Sequence, residues 1–84
     1  MKIIFSSQSW EDYLHWQTAD RRILKRINSL IKEICRDHFR GTGKPEPLKN
    51  ALAGYWSRRI NDEHRLVYRV EGELLYIAQA RYHY

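Results

Sequence analysis

The residues that could do chemistry in this chain are Glu46, held between Pro45 and Pro47, the arginines Arg59 and Arg65 on either side of a short polar break, and His83, bracketed by Tyr82 and Tyr84 where the sequence ends. A carboxylate can take up a proton, and histidine titrates closest to neutral pH of all side chains. The planar fork of an arginine matches the oxygens of a phosphate. The proline after Glu46 biases its backbone to an extended conformation, so this carboxylate is held more firmly than an ordinary loop residue. Lys44 and Lys49 flank it with positive charge. Taken singly, each feature has a plain structural explanation: a proline-rich loop, solvated arginines, aromatics that close a core. As a set they meet the needs of RNA cleavage without a metal. A base removes the proton of the ribose 2′-hydroxyl, cations stabilise the phosphorane-like transition state, and an acid protonates the departing 5′-oxygen. RNA carries this nucleophile itself.

The elements that must position these residues can be read in order. Lys2 to Phe5 is a short β-branched run that predicts a strand ending at Ser6-Ser7, which can cap a helix. Ser7 to Gln17 reads as a short amphipathic helix with Trp10, Tyr13, Leu14 and Gln17 on one face and Glu11, Asp12 and His15 elsewhere. Asp20 caps a second helix, whose apolar residues Ile23, Ile27, Leu30, Ile31 and Ile34 recur at three- and four-residue spacing. Its other face carries Arg21, Arg22, Lys25, Arg26, Lys32 and Arg36, most simply a solvated surface. Between Gly41 and Asn50, two glycines and both prolines exclude a helix or a central strand. The Gly-Thr-Gly-Lys run there is no phosphate-cradling P-loop, because Pro45 follows the lysine where Ser or Thr must open a helix.

From Tyr55 the chain turns to strands: Tyr55 to Ile60, Arg65 to Val70 and Leu74 to Ala80, an antiparallel meander. If Asn61, Asp62 and Glu63 form the first loop, Ile60 lies opposite His64, Arg58 opposite Leu66 and Arg59 opposite Arg65. Arg59 and Arg65 then share a face with Tyr55, Ser57, Val67 and Arg69, while Trp56, Ile60, Leu66, Tyr68 and Val70 form the apolar face that should meet the helices. Two like charges facing each other destabilise a sheet unless an anion lies between them or they splay apart into solvent. With Glu71-Gly72 as a two-residue turn, strict alternation puts Tyr82 and Tyr84 on the arginine face and His83 opposite. A bulge, a different loop or a bend at the C-terminus would change that. The fold class expected is α+β, one domain over residues 1–84, with the N-terminal strand and two helices packed on one face of a mainly antiparallel sheet.

Composition sets the outer bounds. The 84 residues include 43% hydrophobic and 13% aromatic side chains, enough for a folded core, though near the size at which one core is barely sufficient. A partner, including a second copy of the chain, could supply further stability. Fifteen Lys and Arg against ten Asp and Glu give a net charge of +5, which favours polyanionic partners. The lone Cys35 excludes an internal disulfide and suits a reducing cytoplasm, and neither it nor the four histidines has a metal spacing. No leader and no membrane-spanning apolar run is expected.

Several ordered blocks carry a family resemblance over essentially the whole chain: Ser9-Trp10-Glu11-Asp12-Tyr13, Gly43-Lys44-Pro45-Glu46-Pro47-Leu48, Trp56-Ser57-Arg58-Arg59-Ile60, Glu63-His64-Arg65-Leu66-Val67-Tyr68 and Ala80-Arg81-Tyr82-His83-Tyr84. They closely resemble the YoeB (Txe) toxins of the RelE/ParE superfamily. The resemblance implies a RelE-like microbial ribonuclease fold and a toxin that enters the ribosomal A site and cuts the mRNA codon there. The products would be a 2′,3′-cyclic phosphate and a 5′-hydroxyl, with no cofactor. By matching position, Glu46 is the implied general base, His83 the general acid and Arg65 the transition-state stabiliser. Lys49, Arg59 and Tyr84, with Lys44 beside the base, are implied phosphate or substrate contacts. The implied partners are a YefM-type antitoxin, the ribosome and mRNA, and a homodimer is left open. Two other classes compete: a non-catalytic inhibitor of DNA gyrase, as ParE-type relatives are, and a plain RNA-binding module.

Overall fold

The computed structural model describes residues 1–83; the expected contact at Tyr84 lies outside the described residues. The chain runs β1 (Lys2–Phe5), α1 (Ser7–Ala19), α2 (Arg21–Arg36), β2 (Glu46–Pro47), a 3₁₀ turn (Asn50–Leu52), β3 (Trp56–Arg59), β4 (Arg65–Glu71) and β5 (Leu74–Gln79). Five strands form one sheet in the order β1-β5-β4-β3-β2. Only β1 and β5 run parallel; the other pairs are antiparallel, so the sheet is mixed but mainly antiparallel as expected.

Both helices start at side-chain caps. Ser6 Oγ accepts the Ser9 N–H at 3.1 Å, and Asp20 Oδ1 accepts those of Arg22 and Ile23 at 2.9 and 3.4 Å. Each satisfies backbone donors that a helix start leaves unpaired. Ile27, Leu30, Ile31 and Ile34 of α2 are buried against Leu66, Tyr68, Leu75 and Ile77 of the sheet, as the three- and four-residue spacing requires. Fully burying such side chains contributes roughly 1.5–3 kcal/mol each. Helix α1 departs from expectation. Its buried residues are Ser9, Asp12 and Trp16, while Trp10 and Leu14 are 45% and 39% exposed. The reason is that α1 faces β5 with hydrogen-bonding groups, and its apolar side turns outward, where Trp10 and Tyr13 pack on Phe5 at ring distances of 5.6 and 5.3 Å.

The hairpin register follows the parity argument: Arg58 pairs with Leu66 and Arg59 with Arg65. Asn61 Oδ1 closes the loop by accepting the N–H groups of Glu63 and His64, a self-contained asparagine turn. The segment from Gly41 to Asn50 holds one element that was not expected, the two-residue edge strand β2. An edge position suits Pro47, which has no N–H to give a ladder.

The second hairpin corrects the expected alternation. Glu71 pairs with Leu74, so the two-residue turn is Gly72-Glu73, with Gly72 at φ 58°, rather than Glu71-Gly72. Tyr68 pairs with Ile77 but Val67 pairs with Gln79, which makes Ala78 the extra residue of a β-bulge. The bulge exchanges the two faces of the chain beyond it. Leu75 and Ile77 point into the core before it, and Ala80 does so after it.

Candidate active site on the open sheet face

The pairing register places the expected residues in rows across the face that the helices leave open. Glu46 lies beside Ser57, Ser57 beside Val67 and Val67 beside Gln79, one row crossing four strands. Arg59 and Arg65 form the next row, two residues along, about 7 Å away. Glu46, Arg59 and Arg65 are therefore brought to one face. Glu46 is exposed at the rim, and the floor beneath it is Ser57 and Val67, 0% and 2% exposed.

The two arginines are not equivalent. Arg59 Nη2 turns aside to Asp62 Oδ1 at 2.5 Å, which relieves the like-charge opposition. Arg65 is half-buried, makes no carboxylate pair among the described residues, and has a buried Nε with no hydrogen-bond partner there. A guanidinium with no carboxylate pair among the described residues keeps its charge available to an incoming anion. The Ser57 hydroxyl, next to Glu46 in the register, is likewise buried and without a partner among the described residues. Lys44 and Lys49 are exposed beside Glu46, and Lys44 takes a left-handed backbone at φ 50°, uncommon for a residue with a side chain.

His83 lies in a cleft of about 280 Å³ that Gln79, Arg81, Tyr82, Gln8 and Asp12 also line. Gln79 belongs to both the Glu46 row and the cleft. Arg81, which sequence reasoning did not include in the site, enters with His83. Its guanidinium lies 4.5 Å from the Tyr82 ring centroid, and its buried Nε has no partner among the described residues.

A group of side chains fixes this C-terminal segment by its backbone. Ser9 Oγ donates to Ile77 O at 2.6 Å and Ser6 Oγ to Ala78 O at 3.1 Å, so both grip the bulge. Buried Asp12 accepts the Ala80 N–H at 3.0 Å and the Gln8 amide at 2.8 Å. Trp16 Nε1 donates to Ala80 O at 2.8 Å. From the far side, His64 Nδ1 accepts the Tyr82 N–H at 2.7 Å, and Tyr82 O accepts the Arg65 N–H at 3.0 Å. Tyr82 itself bends the chain, with φ at 63°. Both devices left open by the sequence, the bulge and the bend, are present. The segment carrying His83 is thus tied to the strand carrying Arg65.

Arg58 holds the other wall. It is fully buried, and its guanidinium donates to Asp37 O at 2.8 Å, Arg40 O at 2.7 Å, Thr42 O at 3.3 Å, Glu33 Oε1 at 3.2 Å and Tyr68 Oη at 3.3 Å. These bonds fasten the loop that leads into β2 and Glu46. Glu33 Oε1 also accepts the Thr42 N–H at 2.5 Å. That bond, with the Arg58 charge adding to it, holds the Glu33 carboxyl below its usual range. Burial pushes the Tyr68 phenol up, against a smaller opposing pull from Arg58. Among the described residues no cluster of three or more His, Cys, Asp or Glu could hold a metal ion, and no helix is long and apolar enough to cross a membrane.

Residues 5–84 match the model of the YoeB-like toxin of bacterial type II toxin-antitoxin systems. The chain belongs to the YoeB-like toxin family. It is 62% identical to Toxin YoeB of Streptomyces coelicolor and 61% identical to Toxin YoeB of Escherichia coli K12, in each case over all of both chains. Among solved structures it resembles the YoeB/ParE toxin from Agrobacterium tumefaciens, with a TM-score of 0.97 at 52% identity over all of both chains. It also resembles the toxin in the YoeB-YefM complex from Staphylococcus aureus, with a TM-score of 0.93 at 49% identity, covering all of this chain and 98% of that one. The fold extends to a mutant of YafQ from E. coli, with a TM-score of 0.79 at 19% identity, covering 96% of this chain and 91% of that one. In this YoeB-like toxin the sheet face away from the helices carries Glu46, Arg59 and Arg65, and His83 lines the cleft that Gln79 shares with α1.

Proposed function

We propose that the chain is a ribosome-dependent mRNA endoribonuclease, the toxin of a type II pair, cutting codons in the A site. The observation that carries this reading is the shared open face of Glu46 and Arg65, whose half-buried guanidinium has an unpartnered donor among the described residues. In this reading Glu46 takes the proton of the ribose 2′-hydroxyl, and the 2′-oxygen attacks the adjacent phosphorus. Arg65, with Arg59, Lys44 and Lys49 around it, stabilises the charge that builds on the non-bridging oxygens. His83, as the imidazolium, gives its proton to the 5′-oxygen as the P–O bond breaks. The products are a 2′,3′-cyclic phosphate and a 5′-hydroxyl. The nucleophile belongs to the substrate, so no metal-bound water is required. Tyr84 completes the proposed substrate contacts.

The partners that go with this reading are the cytoplasmic ribosome, its mRNA and a YefM-type antitoxin, and its site of action is the cytoplasm. Relatives have been solved as a YoeB dimer and as YoeB-YefM complexes, which supports a homodimer and an antitoxin complex here. The test is to map mRNA 5′ ends in a purified translation system, with and without EDTA at levels that spare the ribosome. Cuts inside A-site codons are expected, and intact mRNA on stalled ribosomes would overturn the reading. An inhibitor of gyrase has no use for Glu46 together with His83, so loss of growth arrest in both alanine variants separates that class.

A further inference from the structure

We propose that Tyr55, Arg69 and Tyr76 form a stacking subsite for one base of single-stranded RNA, beside the position of cleavage. The placement beside a cut rests on the ribonuclease reading; the subsite itself does not. Arg69 pairs directly with Tyr76 across β4 and β5. Its guanidinium carbon lies 4.6 Å from the Tyr76 ring centroid and 5.5 Å from that of Tyr55. Arg65, Val67 and Arg69 alternate along β4, so all three face the open side of the sheet. The face then reads as three rows about 7 Å apart: the cations Arg59 and Arg65, the row from Glu46 to Gln79, and the row of Tyr55, Arg69 and Tyr76.

A purely structural role accounts poorly for this third row. The hydrophobic core lies on the opposite face and includes neither tyrosine. Both rings are half-buried, on the side where Glu46 is exposed. Arg69 reaches Glu71 at 3.4 Å, but Glu71 is 66% exposed, and pairs so open to solvent contribute little. The Arg69 Nε is buried with no hydrogen-bond partner among the described residues. Aromatic rings and a guanidinium plane next to phosphate-binding cations are what a single strand of RNA requires: the backbone follows the positive charge and a base stacks on the π-faces. Stacking of this kind accepts any base, so the subsite adds grip and registers the strand without reading its sequence.

The experiment uses the full chain and RNA hexanucleotides with 2′-O-methyl sugars, which cannot be cut, each with 2-aminopurine at one successive position. One position should be quenched far more than the rest. Arg69→Ala and Tyr76→Leu should each abolish that quenching and weaken binding roughly 5- to 150-fold, the range that stacking contributes per base. Tyr76→Phe, which keeps the ring, should retain both. Arg69→Lys, which keeps the charge and loses the plane, should lose the quenching even if the alanine variant does not fold. Equal quenching and equal Kd in folded Arg69→Lys and wild-type chains would overturn the proposal, as would uniform fluorescence along the wild-type series. Cleavage is read separately, on mRNA in the purified translation system. A chain that quenches the base but leaves A-site codons intact there keeps the subsite and loses the ribonuclease reading; cutting there without quenching does the reverse.

Discussion

Asp12 Oδ2 accepts the backbone N–H of Ala80 at 3.0 Å across 68 residues of sequence, and both residues are buried. The bond joins the first helix to the segment that carries His83. Asp12→Ala leaves the Ala80 N–H unsatisfied in the interior and frees that segment. The loss of a hydrogen bond to a charged group costs about 1.5–3 kcal/mol. For a domain of this size each kcal/mol corresponds to roughly 4–8 °C in Tm. The expected outcome is a Tm drop of that order, together with a fall in single-turnover cleavage measured well below the new Tm. A cleavage rate equal to wild type in the folded variant would show that the tie serves stability alone.

Glu46→Ala and His83→Ala should each slow mRNA cleavage by roughly 10²- to 10⁴-fold, because each removes a positioned proton-transfer group. Arg65→Ala should cost a similar factor through lost charge stabilisation, roughly 10²- to 10³-fold. Glu46 and His83 are exposed, so neither substitution opens the core and Tm should move little. Rates come from a purified translation system and Tm from circular dichroism. Undiminished cleavage in either the Glu46 or the His83 variant would end the acid-base assignment.

Much of the architecture was legible because its cause is local. The stripe from Ile27 to Ile34 follows helical spacing, and the pairing of Arg59 with Arg65 follows from a three-residue loop and a period of two. What the sequence could not show depends on groups meeting from distant parts of the chain. The bulge at Ala78 has no glycine to announce it; Ser6 and Ser9, some seventy residues earlier, hold it by its carbonyls. Asp12 reads as a surface carboxylate until the Ala80 N–H is opposite it. Arg58 had a usable signal: the register already put it opposite Leu66, on the apolar face, where an arginine must find acceptors. The side on which His83 lies needed the bulge, and its suggested role came from family resemblance rather than from alternation.

The two shifted groups set opposite ends of a stability profile. The Glu33 carboxyl is held low in the native state, so its contribution is present above the unfolded-chain value and is lost as pH falls through the lowered native one. Tyr68 is held high, so its contribution is present below the ordinary tyrosine value and is lost as pH rises from there through the raised native one. Denaturant midpoints taken across the pH range should therefore show Glu33→Gln with a shallower acid limb and Tyr68→Phe with a shallower alkaline limb. An unchanged acid slope in Glu33→Gln would mean that other carboxylates govern acid unfolding.

Gly41 and Arg58 meet at Glu33, and this fixes the direction of the last prediction. Gly41 sits at φ 116°, and a Cβ there would overlap Glu33 Oε1, the atom that accepts from both Thr42 and Arg58. Gly41→Ala therefore strains the backbone and displaces the acceptor, so it should lower stability by more than the ordinary glycine-to-alanine effect of about 0.4–1 kcal/mol, and in the opposite direction. Arg58→Leu removes the donor side of the same network. It leaves the carbonyls of Asp37 and Arg40 without their partner, and each buried acceptor left unsatisfied costs roughly 1–3 kcal/mol. Arg58→Lys cannot reproduce the fork and should recover only a minor part. Urea midpoints rank the three, with Arg58→Leu lowest. Because the loop they disturb leads into β2, amide exchange at Ser57 and Arg59 should quicken in each variant, while exchange in α2 follows global stability alone. Unaltered exchange at Ser57 would detach the Arg58 network from the placement of Glu46.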